Sequence, residues 1–130
     1  AAPAAPTGGQ GGLDWLKGKR LMLIDDDEAV RTVLAEQFRD AGGIVTDYAS
    51  GDAAVAAAER KQEGFDYILS DFAMPGLDGL ATLRRLATLA PGARTALMTG
   101  NADDARLGDC ADTTVIRKPL SAEALARIFA

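Results

Sequence analysis

Oxygen-bearing side chains and one ammonium group recur at the ends of four short apolar runs. Leu21-Met22-Leu23-Ile24 leads into Asp25-Asp26-Asp27, and Tyr67-Ile68-Leu69-Ser70 leads into Asp71. Thr95-Ala96-Leu97-Met98 ends at Thr99, and Thr113-Thr114-Val115-Ile116-Arg117 ends at Lys118-Pro119. Brought together, an acidic cluster, a hydroxyl and a lysine would make a site for a divalent cation and a phosphoryl group. Mg²⁺ takes oxygen ligands in octahedral geometry and keeps several waters. Asp26 and Asp71 could bind it directly, with Asp25 holding a coordinated water. The Asp71 carboxylate could attack phosphorus in line and form an acyl phosphate, the cation screening the repulsion between two anions. Lys118 offers a point charge for phosphate or carboxylate, and Thr99 a hydroxyl that donates to a phosphoryl oxygen.

Each of these residues has a plainer explanation when taken alone. Asp27 reads as a helix cap, and all three acids favour a helix N-terminus. An Asp at Asp71 can start a turn before Pro75. Thr is a favoured strand residue, and a surface lysine is usually just solvated. Pro119 fits a helix start, or a bond to Lys118 that fixes the lysine's direction. What argues for a site is the joint placement. Short apolar runs are the mark of buried strands in a parallel sheet, and such sheets bind ligands just beyond the carboxyl ends of their strands.

The elements that would position these residues alternate from Lys19 onward. Strand patterns cover Arg20–Ile24, Ile44–Tyr48, Tyr67–Asp71, Arg94–Met98 and Thr113–Arg117. A first helix is expected over Asp27–Ala41, with Val30, Val33, Leu34 and Phe38 at helical spacing. Gly42-Gly43 stops it. An Ala-rich second helix covers Asp52–Gln62. Asp78 caps a third, whose Leu80, Leu83, Leu86 and Leu89 share a face until Pro91-Gly92. A weak fourth helix over Ala102–Leu107 is broken by Gly108. Ser121 caps a last helix with Leu125, Ile128 and Phe129 facing inward. Five β-α repeats imply an α/β domain with right-handed crossovers and helices on both faces of the sheet. Residues 1–12 are Ala, Pro and Gly with almost no large apolar group, a flexible linker. The domain is expected over residues 13–130, with Leu13, Trp15 and Leu16 packed on its edge.

Bulk properties narrow the function classes. A chain of 130 residues fits one domain and buries enough surface to fold without staples. The net charge of −5 argues against a nucleic-acid-binding surface. No apolar stretch is long enough to span a bilayer, and no secretory signal or membrane contact is expected. Cys110 is the only cysteine, which rules out an intrachain disulfide and fits a reducing, cytoplasmic setting. The chain has no histidine, so it carries no His triad and no phosphohistidine of its own.

With these residues in view, the sequence resembles the receiver domains of two-component response regulators. The segments LMLIDDDEAVR, YILSDFAMPGLDG, ALMTG and VIRKPLS carry the resemblance, in order and spacing, from about Lys19 to the end of the chain. The resemblance implies a doubly wound (βα)5 flavodoxin-like fold with strand order 2-1-3-4-5. It implies that Asp71 is the phosphoacceptor, that Asp25 and Asp26 are the acid pair for Mg²⁺, and that the Ala73 backbone carbonyl is a further ligand. Thr99 would be the switch hydroxyl and Lys118 the lysine that pairs with Asp71 and then with phosphate. The implied donor is a phosphohistidine on a histidine kinase or phosphotransfer domain, with a downstream phosphotransfer protein as a further partner. Phosphorylation would shift the region from the fourth strand through the weak helix to the fifth strand. Catalysis would extend to the domain's own phosphorylation and dephosphorylation, short of a stand-alone enzyme. The linker and the lead-in LKGKR resemble the joint before the C-terminal receiver of a hybrid histidine kinase.

Three departures from the family pattern stand out. The aromatic often found three residues before the lysine is Val115. The stretch from Thr99 to Lys118 is short, and Ala73 and Asn101 occupy positions where the family varies residues that tune dephosphorylation. Two other function classes compete. A pseudo-receiver would bind partners without phosphorylation. A haloacid-dehalogenase-like phosphatase would use Asp25 as nucleophile, but Asp25-Asp26-Asp27-Glu28-Ala29 has the wrong last residue for that motif and the chain lacks room for a cap domain.

Overall fold

The computed structural model describes residues 13–61, 64–100, 114–118 and 120–129. Five strands, β1 (Arg20–Ile24), β2 (Ile44–Tyr48), β3 (Tyr67–Asp71), β4 (Arg94–Thr99) and β5 (Val115–Arg117), form one sheet in the order β2-β1-β3-β4-β5. All four pairings are parallel. The helices are α1 (Glu28–Asp40), α2 (Gly51–Lys61), α3 (Gly79–Leu89) and α4 (Ala122–Phe129). This is the expected doubly wound fold. Strand bounds match for β1, β2 and β3, while β4 runs one residue further, to Thr99, and β5 starts at Val115. The weak helix expected at Ala102–Leu107, together with Asn101, Cys110, Pro119 and residues 1–12, lies outside the described residues.

The side-chain alternation of the central strands divides the core into two halves. Leu21, Leu23, Tyr67, Leu69, Ala96 and Met98 point to one face and meet Leu34, Ala35, Phe38, Leu125 and Phe129 of α1 and α4. Met22, Ile24, Ile68 and Leu97 point to the other and meet Ala54, Val55, Ala58, Leu80, Leu83 and Leu86 of α2 and α3. Because the period of a strand is two, one apolar run supplies both layers. A short 3-10 turn at Asp14–Leu16 extends the first half. Leu16 is fully buried, and Trp15 stacks edge-on against Tyr67 with ring centroids 5.3 Å apart. Tyr67 in turn lies 4.7 Å from Phe129.

Side chains cap the starts of all four described helices. Asp27 accepts from the N–H groups of Ala29 and Val30, and Asp78 from that of Ala81. Ser50 accepts from Ala53 and Ser121 from Ala124. Each cap satisfies donors that have no partner within the helix. The far end of α1 closes with a glycine in the left-handed region, Gly42 at φ +94°. Gly43 N–H donates to Phe38 O, and Gly42 N–H to Arg39 O. That pairing reverses the chain into β2 and keeps the helix-end carbonyls occupied.

One apolar position on α1 departs from expectation. Val33 is 54% exposed, whereas Leu34 and Phe38 are buried and Val30 packs partly against the core. Val30, Leu34 and Phe38 repeat at four-residue steps, which keeps them in one stripe. A three-residue step from Val30 turns Val33 off that stripe.

Two substitutions separate the core from the surface. Leu16→Ala is expected to cost about 2–5 kcal/mol of unfolding free energy. Val33→Ala is expected to stay within about 0.5 kcal/mol of the parent. Urea unfolding followed by circular dichroism measures both, and equal effects would contradict this division of α1 and the N-terminal turn.

Candidate functional site

Two residues that end strands and two that follow them converge at the carboxyl edge of the sheet. Asp25 follows β1, Asp71 ends β3, Thr99 ends β4 and Lys118 follows β5. Register sets their heights. Ile24 pairs with Ser70, Asp71 with Met98, and Thr99 with Arg117, so Asp71 reaches one step past Ile24, and Thr99 and Arg117 one step past Asp71. Lys118 N–H donates to Thr99 O at 2.8 Å, which carries the β4–β5 ladder one step beyond the strand and seats the lysine beside the threonine.

The lysine side chain bridges two acids. Lys118 Nζ lies 3.1 Å from Asp71 Oδ1 and 3.3 Å from Asp25 Oδ2. Asp25 is fully buried and Asp71 nearly so, while Asp26 is exposed at the rim. Asp25, Asp26 and Asp71 each present a carboxylate oxygen, and the three oxygens lie within 4.8 Å of one another. Three hard anionic donors at this spacing fit a small divalent cation such as Mg²⁺, which keeps several waters as its remaining ligands. Ala73, expected to offer its carbonyl, lies on the exposed loop two residues past Asp71. Thr99 is buried at the end of β4.

The backbone around the acids is tightly held. Asp25 Oδ1 accepts the N–H of Asp27 at 2.9 Å, and Asp25 N–H donates to Tyr48 O. Both carboxylate oxygens of Asp25 are thus engaged, one by a backbone donor and one by lysine. Asp71, by contrast, meets Lys118 through Oδ1. After Asp71 the chain turns at once. Phe72 N–H donates to Met98 O and Gly79 N–H to Phe72 O, so α3 starts against the end of β3. A Cβ on Gly79 would run into the Asp71 carbonyl oxygen. Glycine is required there because α3 and the strand end touch through backbone.

Several residues at this edge were not picked out from the sequence. Arg31 of α1 donates from Nη1 to the Asp25 backbone carbonyl at 2.8 Å and from Nε to Asp47 Oδ2 at 3.0 Å. Ser70, buried beside Asp71, donates to the Asp71 carbonyl at 3.0 Å. The available signal was slight: an arginine one helical turn after the Asp27 cap, and a lone hydroxyl in an apolar run. Helical and strand periodicity assign both residues a face but no partner.

Comparison with known proteins agrees with this geometry. Residues 21–130 match the family model of the response regulator receiver domain. The response regulator receiver protein CpdR of Brucella abortus (strain 2308) is 34% identical over 105 residues, spanning 78% of this chain and 85% of CpdR. The C4-dicarboxylate transport transcriptional regulatory protein DctD of Rhizobium meliloti (strain 1021) is 36% identical over 83 residues. The match spans 64% of this chain but 18% of DctD, so most of that regulator has no counterpart here. Among solved structures, the receiver domain of sensor histidine kinase PA1611 from Pseudomonas aeruginosa PAO1 superposes with a TM-score of 0.73 at 30% identity. The overlap covers 86% of this chain and 94% of that one, and that structure has a magnesium ion coordinated in its active site cleft.

Electrostatics set the site's pH behaviour. Burial pushes the Asp71 carboxyl above its ordinary value of 3.8, and the charges of Asp25 and Asp26 push the same way, against the Lys118 hydrogen bond. Burial disfavours the charge on Lys118, but its hydrogen bond to Asp71 and the charges of Asp71 and Asp25 outweigh that and raise its pKa above 10.5. A carboxyl raised in the folded state binds its proton more tightly there than in the unfolded chain. Ionising Asp71 therefore lowers stability as pH rises from the ordinary carboxylate value through the raised one. Lys118 contributes stability that is fully present below pH 10.5 and lost as pH rises through its raised value. In metal-free buffer, Asp71→Asn is expected to melt above the parent at neutral pH. The gap should close once pH falls below the ordinary carboxylate value and both proteins are neutral at that position. Calorimetric melting across pH measures it. A variant that melts below the parent at pH 7 would mean that the Lys118 bond, not burial, dominates.

Proposed function

We propose a reaction for Asp71 because of where it sits and because this chain belongs to the response regulator receiver domains of two-component signalling. Asp71 accepts a phosphoryl group from a phosphohistidine on a histidine kinase or phosphotransfer domain. The observation that carries the reading is the pair of bonds from Lys118 Nζ to Asp25 and Asp71, beside three carboxylate oxygens within 4.8 Å. An Asp oxygen forms the new O–P bond while the donor's P–N bond breaks, and the electron pair returns to the imidazole nitrogen. Asp25, Asp26, Asp71 and the Ala73 carbonyl would hold Mg²⁺, which neutralises acidic charge and stabilises the transferring oxygens.

The residues of the chain divide the remaining roles. Lys118 keeps the Asp71 oxygen oriented before transfer and then pairs with a phosphoryl oxygen. The Thr99 hydroxyl donates to another phosphoryl oxygen. Because Lys118 N–H is bonded to Thr99 O, both groups move as one edge of the β4–β5 pair. That is the route by which chemistry at Asp71 changes the surface near β4 and β5. We place this receiver in a hybrid histidine kinase, on the strength of its lead-in sequence and its likeness to the receiver of a sensor histidine kinase.

Intact mass after incubation with acetyl phosphate tests the proposal. The parent is expected to gain an acid-stable, base-labile phosphate only with Mg²⁺, and Asp71→Asn to gain none. Lys118→Ala is expected to slow the gain by about 100-fold or more, the scale of losing one preorganised charge at a transferring group. An adduct that survives Asp71→Asn would sink the assignment and shift the chemistry to Asp25. No adduct from acetyl phosphate or from a phosphohistidine donor would favour a pseudo-receiver.

A further inference from the structure

Asp26 differs from the other two acids in how it is held. Asp25 and Asp71 share Lys118, whereas Asp26 is exposed and reaches the cluster from a bend. The direction of its side chain depends on the two peptide groups that flank it. The peptide before Asp26 is fixed through its carbonyl, since Asp25 O accepts from Arg31 Nη1 at 2.8 Å. The peptide after Asp26 is fixed through its N–H, which is that of Asp27 and donates to Asp25 Oδ1 at 2.9 Å. With both planes held, the backbone angles of Asp26 are set, and with them the direction in which its Cα–Cβ bond leaves the chain.

The first of these anchors is itself built. The Arg31 side chain is 16% exposed, and its Nε donates to Asp47 Oδ2 at 3.0 Å. Asp47 sits on β2 opposite Leu23, so the clamp joins α1, β2 and the end of β1. Arg39 supports Asp47 from the next turns of α1, with NH2 3.4 Å from Asp47 Oδ1 and 3.0 Å from Val45 O. A planar guanidinium can address a carbonyl and a carboxylate at once, which a lysine ammonium at the same place cannot match in direction.

We infer that Arg31, held by Asp47, is a positioning residue that orients Asp26 for the divalent cation. This rests on the reading of the acidic cluster as an Mg²⁺ site. It makes an unusual sign prediction. Arg31 is a cation close to an acidic cluster, so by charge alone its removal would tighten binding of Mg²⁺. Positioning demands the opposite: losing the clamp frees the Asp25–Asp26 peptide and weakens binding, on the scale of about 10-fold known for residues that orient metal ligands.

Calorimetric titration of MgCl₂ into the metal-free protein decides between them, with circular dichroism to establish folding. Arg31→Gln and Asp47→Asn are each expected to raise the Mg²⁺ Kd, Arg31→Gln by about 10-fold, and Arg31→Lys to recover only part of the loss. Folded Arg31→Gln protein that binds Mg²⁺ as tightly as the parent, or more tightly, would overturn the inference, and so would full recovery by Arg31→Lys. If Arg31→Gln does not fold, Asp47→Asn decides by the same criterion, because it loosens the clamp without altering α1. A parent that binds no Mg²⁺ would overturn both the inference and the reading of the site, whereas normal parent binding with unchanged variants would overturn the inference alone.

Discussion

One ammonium group holds the carboxyl edge of this sheet together. Asp25 and Asp71 are almost fully buried, close together and of like charge, an arrangement that costs free energy without compensation. Lys118 Nζ lies between them at 3.3 and 3.1 Å. It brings one positive charge to two buried anions and leaves the cluster net negative, with the exposed Asp26 adding a third charge. The fold therefore stabilises the acids only in part. The residual negative charge is what suits the edge to a cation, while burial, with smaller contributions from Asp25 and Asp26, holds the Asp71 carboxyl above its ordinary value. A fully neutralised cluster would be more stable and chemically inert.

The rest of the architecture follows from keeping that edge in register. β5 lies next to β4 and β4 next to β3, and in that register Lys118 stands two steps beyond the level of Asp71, so its side chain reaches back over the strand ends to the acid. The buried stretches Leu21–Ile24, Ile68–Ser70 and Ala96–Met98 are apolar almost throughout, since helices cover both faces. Ser70 is the exception, and its hydroxyl is spent on the Asp71 carbonyl. Among the described residues no buried side-chain nitrogen or oxygen lacks a hydrogen-bond partner, so the polar edge is closed without defects. Gly79 completes the arrangement from the other side by letting α3 begin against the Asp71 backbone.

Much of this was legible in the sequence because two periods run through it. Four-residue runs such as Leu21-Met22-Leu23-Ile24 have no polar face, which only a strand buried on both sides tolerates, and they located the sheet. The polar residue ending each run then located the site, since a charge cannot move deeper. What remained illegible has equally physical causes. Val33 fits a helical pattern as well as Leu34 does, and only the position of the sheet tells which side of α1 is covered. The Arg31 clamp spans α1, β1 and β2, so no local window contains it. Pairings of that kind depend on tertiary distance, and an arginine near an aspartate in sequence is too common to single out.

The coupling between the site and the outer surface follows from where its groups are anchored. Lys118 and Thr99 are joined through backbone, Lys118 N–H to Thr99 O, and Leu97, Met98 and Thr99 pair in turn with Val115, Ile116 and Arg117. Ile116 is buried against the α1 and α4 half of the core, whereas Val115 is partly exposed on the edge strand. A displacement of Lys118 would be resisted on one side by the packing of Ile116, and β5 itself is three residues long. Valine at that position is β-branched and has a narrow choice of rotamers, so it cannot swing between an inward and an outward pose as a large aromatic ring can. Under the proposed reaction, a signal passing toward β5 would travel as movement of the paired β4–β5 backbone and not as a ring swing at Val115.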